Sequence, residues 1–100
     1  MKNNFDSIKE KIIPVLRENH VTQSSVFGSY ASGEEKAESD IDILVEFEAG
    51  NEPDIFTFLQ LKRELENRLG RSVDLVTSDA LSPFIRVEIL KNAKVFYAKS

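Results

Sequence analysis

The 100-residue sequence contains no cysteine. Disulfides and thiolate metal sites are therefore excluded, and the absence fits a reducing, cytoplasmic setting. No apolar run approaches the ~20 residues that a membrane-spanning helix needs. The first ten residues, MKNNFDSIKE, hold no apolar signal-peptide core. A soluble cytoplasmic protein with no membrane contact is the expectation. Basic residues are outnumbered, with a formal net charge of −4. That balance argues against direct nucleic-acid binding, which usually calls for a basic face. Acidic excess suits a protein that binds cations or a basic partner, or one whose surface is merely acidic. Histidine occurs once, as His20 after the first predicted helix, where a helix-end or solvated side chain is expected. There is no repeat, linker or low-complexity tract.

What is present is globular in composition, with 41% hydrophobic and 30% charged residues. The length suits a single domain over residues 1–100. A domain of this size buries roughly 65% of its unfolded surface. Its core is modest, so a shallow site, or one completed by a partner chain, is expected. Oligomeric state is left open.

Helix and strand patterns alternate, which predicts an α/β (α+β) fold: a mixed sheet of about four strands flanked by helices. Residues 5–19 carry Phe5, Ile8, Ile12, Val15 and Leu16 near helical spacing. Pro14 should kink or interrupt that helix. Residues 22–28 read as a strand and 40–47 as the clearest one. There Ile41, Ile43, Val45 and Phe47 face one way, and Asp40, Asp42, Leu44 and Glu46 the other. Asp54 can cap a helix running to about Leu69 and ending at Gly70, with Ile55, Phe58, Leu59, Leu61, Leu65 and Leu69 inward. Residues 71–77 form a third strand. A helix over 79–92 offers Phe84, Val87, Ile89 and Leu90 as core candidates, and Lys94 to Ala98 an edge strand.

The chemistry lies in Gly28-Ser29-Tyr30-Ala31-Ser32-Gly33 and in Ser39-Asp40-Ile41-Asp42. Side chains two apart on a strand share a face, so Asp40 and Asp42 project together, about 6–7 Å apart. Paired carboxylates resist ionising unless a cation lies between them. Magnesium takes hard oxygen ligands, including carboxylates and phosphate oxygens. Gly28 lets the backbone approach a ligand, and the amides after it can donate to phosphate. If the strand holding Asp74 pairs beside residues 40–47, Asp74 joins the carboxylates. Each piece alone has a plainer reading: a solvated acidic pair, a Gly-Ser turn, an aspartate facing water.

Together, Gly28-Ser29, the ten residues after them, Asp40-Ile41-Asp42 and the later Asp74 resemble the signature of the DNA polymerase β-type nucleotidyltransferases. The short chain and the tail Ser82-Pro83-Phe84-Ile85-Arg86-Val87-Glu88-Ile89-Leu90 resemble the stand-alone minimal nucleotidyltransferases. The resemblance implies that Asp40, Asp42 and Asp74 are catalytic and ligate Mg²⁺, with two ions, and that Asp74 helps deprotonate the attacking hydroxyl. It implies that Gly28 and Ser29 hold the β/γ-phosphates of ATP, with Ser39 also on the nucleotide. It further implies an antitoxin that moves AMP onto a tyrosine of a HEPN-domain toxin.

Many members of that family carry an arginine in a G-S-x-A-R-G pattern where this chain has Ser32. A missing cation there weakens triphosphate binding, and Lys36 in the same loop is a candidate substitute. Two alternatives follow: a non-catalytic antitoxin that masks its toxin, and a nucleotidyltransferase acting on a small molecule such as an aminoglycoside. Arg86 is read either as a surface residue or as a contact to phosphate or partner. The run Lys62, Arg63, Glu64, Glu66, Arg68 is read as the wet face of a helix.

Overall fold

A computed structural model describes residues 4–27 and 40–99. In chain order the elements are α1 (Asn4–Glu18), β1 (Val21–Phe27), β2 (Ile41–Phe47), α2 (Ile55–Leu69), β3 (Val73–Thr77), a 3₁₀ turn (Ser78–Ala80), α3 (Pro83–Asn92) and β4 (Lys94–Ala98). The four strands form one mixed sheet in the order β3-β2-β1-β4. β2 and β3 run parallel, joined by α2 as their crossover. β1 is antiparallel to both of its neighbours, β2 and β4. The expected mixed four-stranded sheet with flanking helices is what forms, and β2 lies inside the sheet rather than at its edge.

The core follows the alternation of the strands. Ile41, Ile43 and Val45 of β2, with Val73 and Leu75 of β3, are buried against Ile8, Ile12, Val15 and Leu16 of α1 and Leu61 and Leu65 of α2. The opposite pleat of β2 and β3 carries Asp42, Glu46 and Asp74, with Leu44 the buried exception. One face of the sheet is thus a hydrophobic layer and the other is largely polar.

Pro14 does not interrupt α1, which runs unbroken from Asn4 to Glu18. Its missing N–H costs the helix one bond and about 3 kcal/mol in an isolated setting. Ile12, Val15 and Leu16 are completely buried around it, and burying three such side chains offsets that cost. The side chain of Phe5 lies outside the described residues. α1 ends on Asn19 and His20, whose backbone amides donate to Leu16 and Arg17 carbonyls. His20 takes the left-handed conformation (φ 63°) usually given to glycine.

α2 has the expected ends. The Asp54 carboxylate accepts from the Thr57 N–H at 2.7 Å, and Gly70 adopts φ 67° while donating to Glu66. Its inner stripe is narrower than expected. Phe58, Leu61, Leu65 and Leu69 pack inward, whereas Ile55 and Leu59 are exposed. On the charged side, Arg68 pairs with Glu64 at 3.5 Å, and Glu66 also accepts from the Val73 N–H.

The largest departure concerns α3. The segment 79–92 divides into the 3₁₀ turn and α3, and no α3 residue is fully buried. Phe84 is 86% exposed, Val87 and Leu90 are exposed too, and Ile89 is half-buried. Apolar residues surround this helix on all sides, so periodicity could not choose an inner face. The polar pleat of β2 and β3 offers little apolar surface for it to cover.

Candidate active site

The register of β2 and β3 sets Asp42 directly beside Asp74. Neighbouring strands lie about 4.8 Å apart, and parallel partners point to one face. The two carboxyls are close enough to share a hydrogen bond. Asp40, one residue before β2, is exposed and near enough to act on Asp42 through its charge.

Crowding leaves a mark on Asp42. Its carboxyl is pushed above the ordinary carboxylate value, first by burial, then by the charge of Asp74 and the bond shared with it, and last by Asp40. Asp74 itself is exposed, so the cost of burying it plays no part. Asp42 in the metal-free chain holds its charge at a disadvantage that a hard cation removes. The donor set consists of carboxylate oxygens, the chemistry magnesium takes. Asp42 and Asp74 adjoin and Asp40 stands beside them. Among the described residues, however, no three acidic or histidine side chains converge into a complete metal-ligand group. Phosphate oxygens and water ordinarily supply the remaining magnesium ligands. Gly28, Ser29 and Ser39, with Tyr30, Ser32 and Lys36, lie outside the described residues.

Arg86 takes a role that the sequence did not name, and His20 takes the helix-end place read for it. Arg86 donates through Nε and Nη2 to the Ser78 carbonyl at 3.1 and 2.7 Å, and stands 3.8 Å from Asp79. It fastens α3 to the 3₁₀ turn rather than reaching toward the aspartates. His20 places Nδ1 4.0 Å from Glu48, and its carbonyl accepts from the Glu48 N–H, as a helix-end residue. Sequence reading missed Ser78, whose hydroxyl donates to Glu46 at 3.4 Å. Glu46 shares the Asp42 face by alternation, but nothing in the sequence brings Ser78 to it.

A mixed sheet with two facing aspartates on its parallel pair is the framework of a nucleotidyl-transferring enzyme. The chain belongs to the polymerase β nucleotidyltransferase family, whose model matches residues 10–100. It is 44% identical to the protein adenylyltransferase MntA of Thermococcus cleftensis over 77 residues, 76% of each chain. It is similar in structure (TM-score 0.78, 29% identity, 92% of this chain and 74% of the other) to a chain in the crystal structure of a toxin–antitoxin pair with AMP-PNP. A complex of a tri-AMPylated Shewanella oneidensis HEPN toxin with its MNT antitoxin also contains a similar chain. It matches at a TM-score of 0.72 and 26% identity, over 94% of this chain and 72% of that one. Among the described residues, no helix is long and apolar enough to cross a membrane.

Proposed function

We propose that this protein is a Mg²⁺-dependent adenylyltransferase that moves AMP from ATP onto a tyrosine hydroxyl of a HEPN-domain toxin, and so acts as the antitoxin of the pair. The observation that carries this reading is the side-by-side placement of Asp42 and Asp74, with Asp42 held above its ordinary pKa. The named relative and the two toxin–antitoxin neighbours support the choice of AMP and of a protein acceptor.

Transfer of AMP joins the acceptor oxygen to the α-phosphorus and breaks the α–β phosphoanhydride, so pyrophosphate leaves and the hydroxyl proton must be accepted. Asp74 is exposed at the mouth of the pair and is the proposed acceptor of that proton. Asp40 and Asp42 would hold magnesium, with Asp74 as a third ligand. When bound, magnesium neutralises the negative charge that develops on the phosphates. Gly28, Ser29 and Ser39 are proposed to hold the nucleotide through the β/γ-phosphates.

The test is incubation with Mg²⁺, α-labelled ATP and the cognate HEPN toxin, beside an Asp40→Asn/Asp42→Asn control. Label on the toxin that disappears in the control is the expected result. A stable complex that acquires no label would overturn the enzymatic reading and favour masking by binding alone, the alternative to which Ser32 points.

A further inference from the structure

The parallel pair β2–β3 has a second end. Beyond Val45 and Thr77, where the pair finishes, a groove of about 530 Å³ opens between the start of α2 and the 3₁₀ turn. On β3 the lining starts at Leu75 and Val76, one and two residues past Asp74, and on β2 Glu46 lies four residues, about 13 Å, past Asp42, while neither aspartate is itself part of the lining. Its apolar wall includes Phe47, Phe58, Leu75 and Val76. The rings of Phe47 and Phe58 meet edge to face, 6.5 Å between centroids. That volume is within the range of a side-chain or small-ligand pocket.

The rim has one sign of charge. Glu46, Glu52, Asp54 and Asp79 line the groove, and among the described residues no lysine, arginine or histidine does. Three of these carboxylates accept hydrogen bonds from uncharged donors: the Ser78 hydroxyl on Glu46, the Gly50 N–H on Glu52 and the Thr57 N–H on Asp54. Asp79 stands 3.8 Å from Arg86, whose guanidinium is already bonded to the Ser78 carbonyl. Among the described residues, four carboxylates thus stand with one nearby cation, and this rim keeps an excess of negative charge.

This combination selects the occupant. An anion such as a second nucleotide is repelled by the rim. A neutral apolar ligand gains nothing from it. A lysine or arginine side chain satisfies both parts, its stem lying on the aromatic wall and its head meeting the carboxylates. The apolar surface continues past the groove along α2, through the exposed Ile55 of its lining and the neighbouring exposed Phe56. A small polyamine would leave that surface uncovered, whereas a protein segment with apolar residues beside its basic one covers it. We propose that the groove between α2 and the 3₁₀ turn is a docking site for a basic, apolar-flanked segment of a protein partner, adjoining the aspartate pair on β3 but not including it. This names the chemistry of the partner surface and rests on the reading that the chain acts on a protein.

The test uses the full ¹⁵N-labelled chain and an acetylated, amidated pentapeptide that alternates leucine or phenylalanine with arginine and lysine. Glutamine and glutamate versions of the peptide serve as controls. The expected result is saturable amide shifts at Phe47, Ile55, Thr77 and Ala80 with the basic peptide, and affinity about tenfold weaker with the glutamine version. None is expected with the glutamate version. Binding should weaken with added salt and in a Glu52→Gln/Asp79→Asn variant, both substitutions being at exposed positions. It should persist in Asp42→Asn/Asp74→Asn. Equal shifts with the glutamine or glutamate peptide, shifts centred on Asp42 and Asp74, or no shifts at all would overturn the proposal. Failure of the chain to bind or label a HEPN toxin would count against the proposed function alone, since the peptide titration requires no toxin.

Discussion

The two ends of the β2–β3 pair put aspartates to opposite uses. At the end where the strands begin, Asp42 is half-buried beside Asp74 and near Asp40, and its carboxyl is pushed up by burial and by like charge. At the end where they finish, Asp54 is exposed, and the backbone N–H of Thr57, with its hydroxyl, holds its carboxyl below the ordinary value. The residue type is the same and the shift is reversed. Asp54 is held by its own helix, and its ionised form is favoured without any added cation. Asp42 is left in an environment that improves only when a cation arrives, and that unfavourable state marks the functional carboxylate.

The strongest way to break this comparison is to remove the crowded pair. Asp42→Asn/Asp74→Asn should lower AMP transfer by a thousandfold or more, on the order of the loss when a main source of charge stabilisation is deleted. Circular dichroism should show the fold retained, because neither side chain belongs to the core. Transfer that survives would place the chemistry elsewhere.

Next in size is the response to the cation. Saturating Mg²⁺ should raise thermal stability, by about 2.7 kcal/mol at a hundred times its Kd, and the double variant should lose that response. The metal-free chain should also respond to acid in a defined direction. Folded Asp42 takes up its proton at a higher pH than unfolded Asp42 does. Its contribution to stability therefore rises as pH falls from above the raised folded value to below the unfolded value of about 3.8. Asp42→Asn should abolish that gain, as read from Tm against pH without metal.

How legible these two ends were from sequence differs for a physical reason. Alternation along 40–47 placed Asp42 correctly, because Ile41, Ile43 and Val45 fix the inward face. Asp54 and Gly70 carried local capping chemistry and gave both ends of α2. The juxtaposition of Asp42 with Asp74 needed the pairing of two strands separated by a helix, which no local pattern encodes. The groove was not visible, since it depends on how the ends of β2 and β3, the start of α2 and the 3₁₀ turn come together in space. α3 was misread because Phe84, Ile85, Val87, Ile89 and Leu90 surround the helix, and burial is decided by what the sheet offers. Pro14 was misread because the packing around it outweighs its local preference.

The smaller effects belong to the other end. Asp54→Ala removes the side-chain acceptor for the Thr57 N–H and should lower Tm modestly at neutral pH. Because the folded pKa of Asp54 is depressed, its contribution is present above the unfolded value of about 3.8 and is lost as pH falls through the lowered folded value. The Tm of the alanine variant should therefore approach that of the unmodified chain in acid. Transfer and the magnesium response should be unaffected, since Asp54 lies at the far end of β2–β3 from the aspartate pair.

Asp54→Asn should have the smallest effect and separates the two contributions of the cap. Asparagine offers a carbonyl oxygen to the same N–H but carries no charge to meet the positive end of α2. If the hydrogen bond dominates, Tm at neutral pH should stay close to that of the unmodified chain, while the loss in acid disappears because nothing at the position titrates. A fall as large as that of the alanine variant would instead mean that the charge carries the cap. Asp54 would then be, like Asp42, a carboxylate whose ionisation matters, and the contrast between the two ends would narrow to the sign of their surroundings.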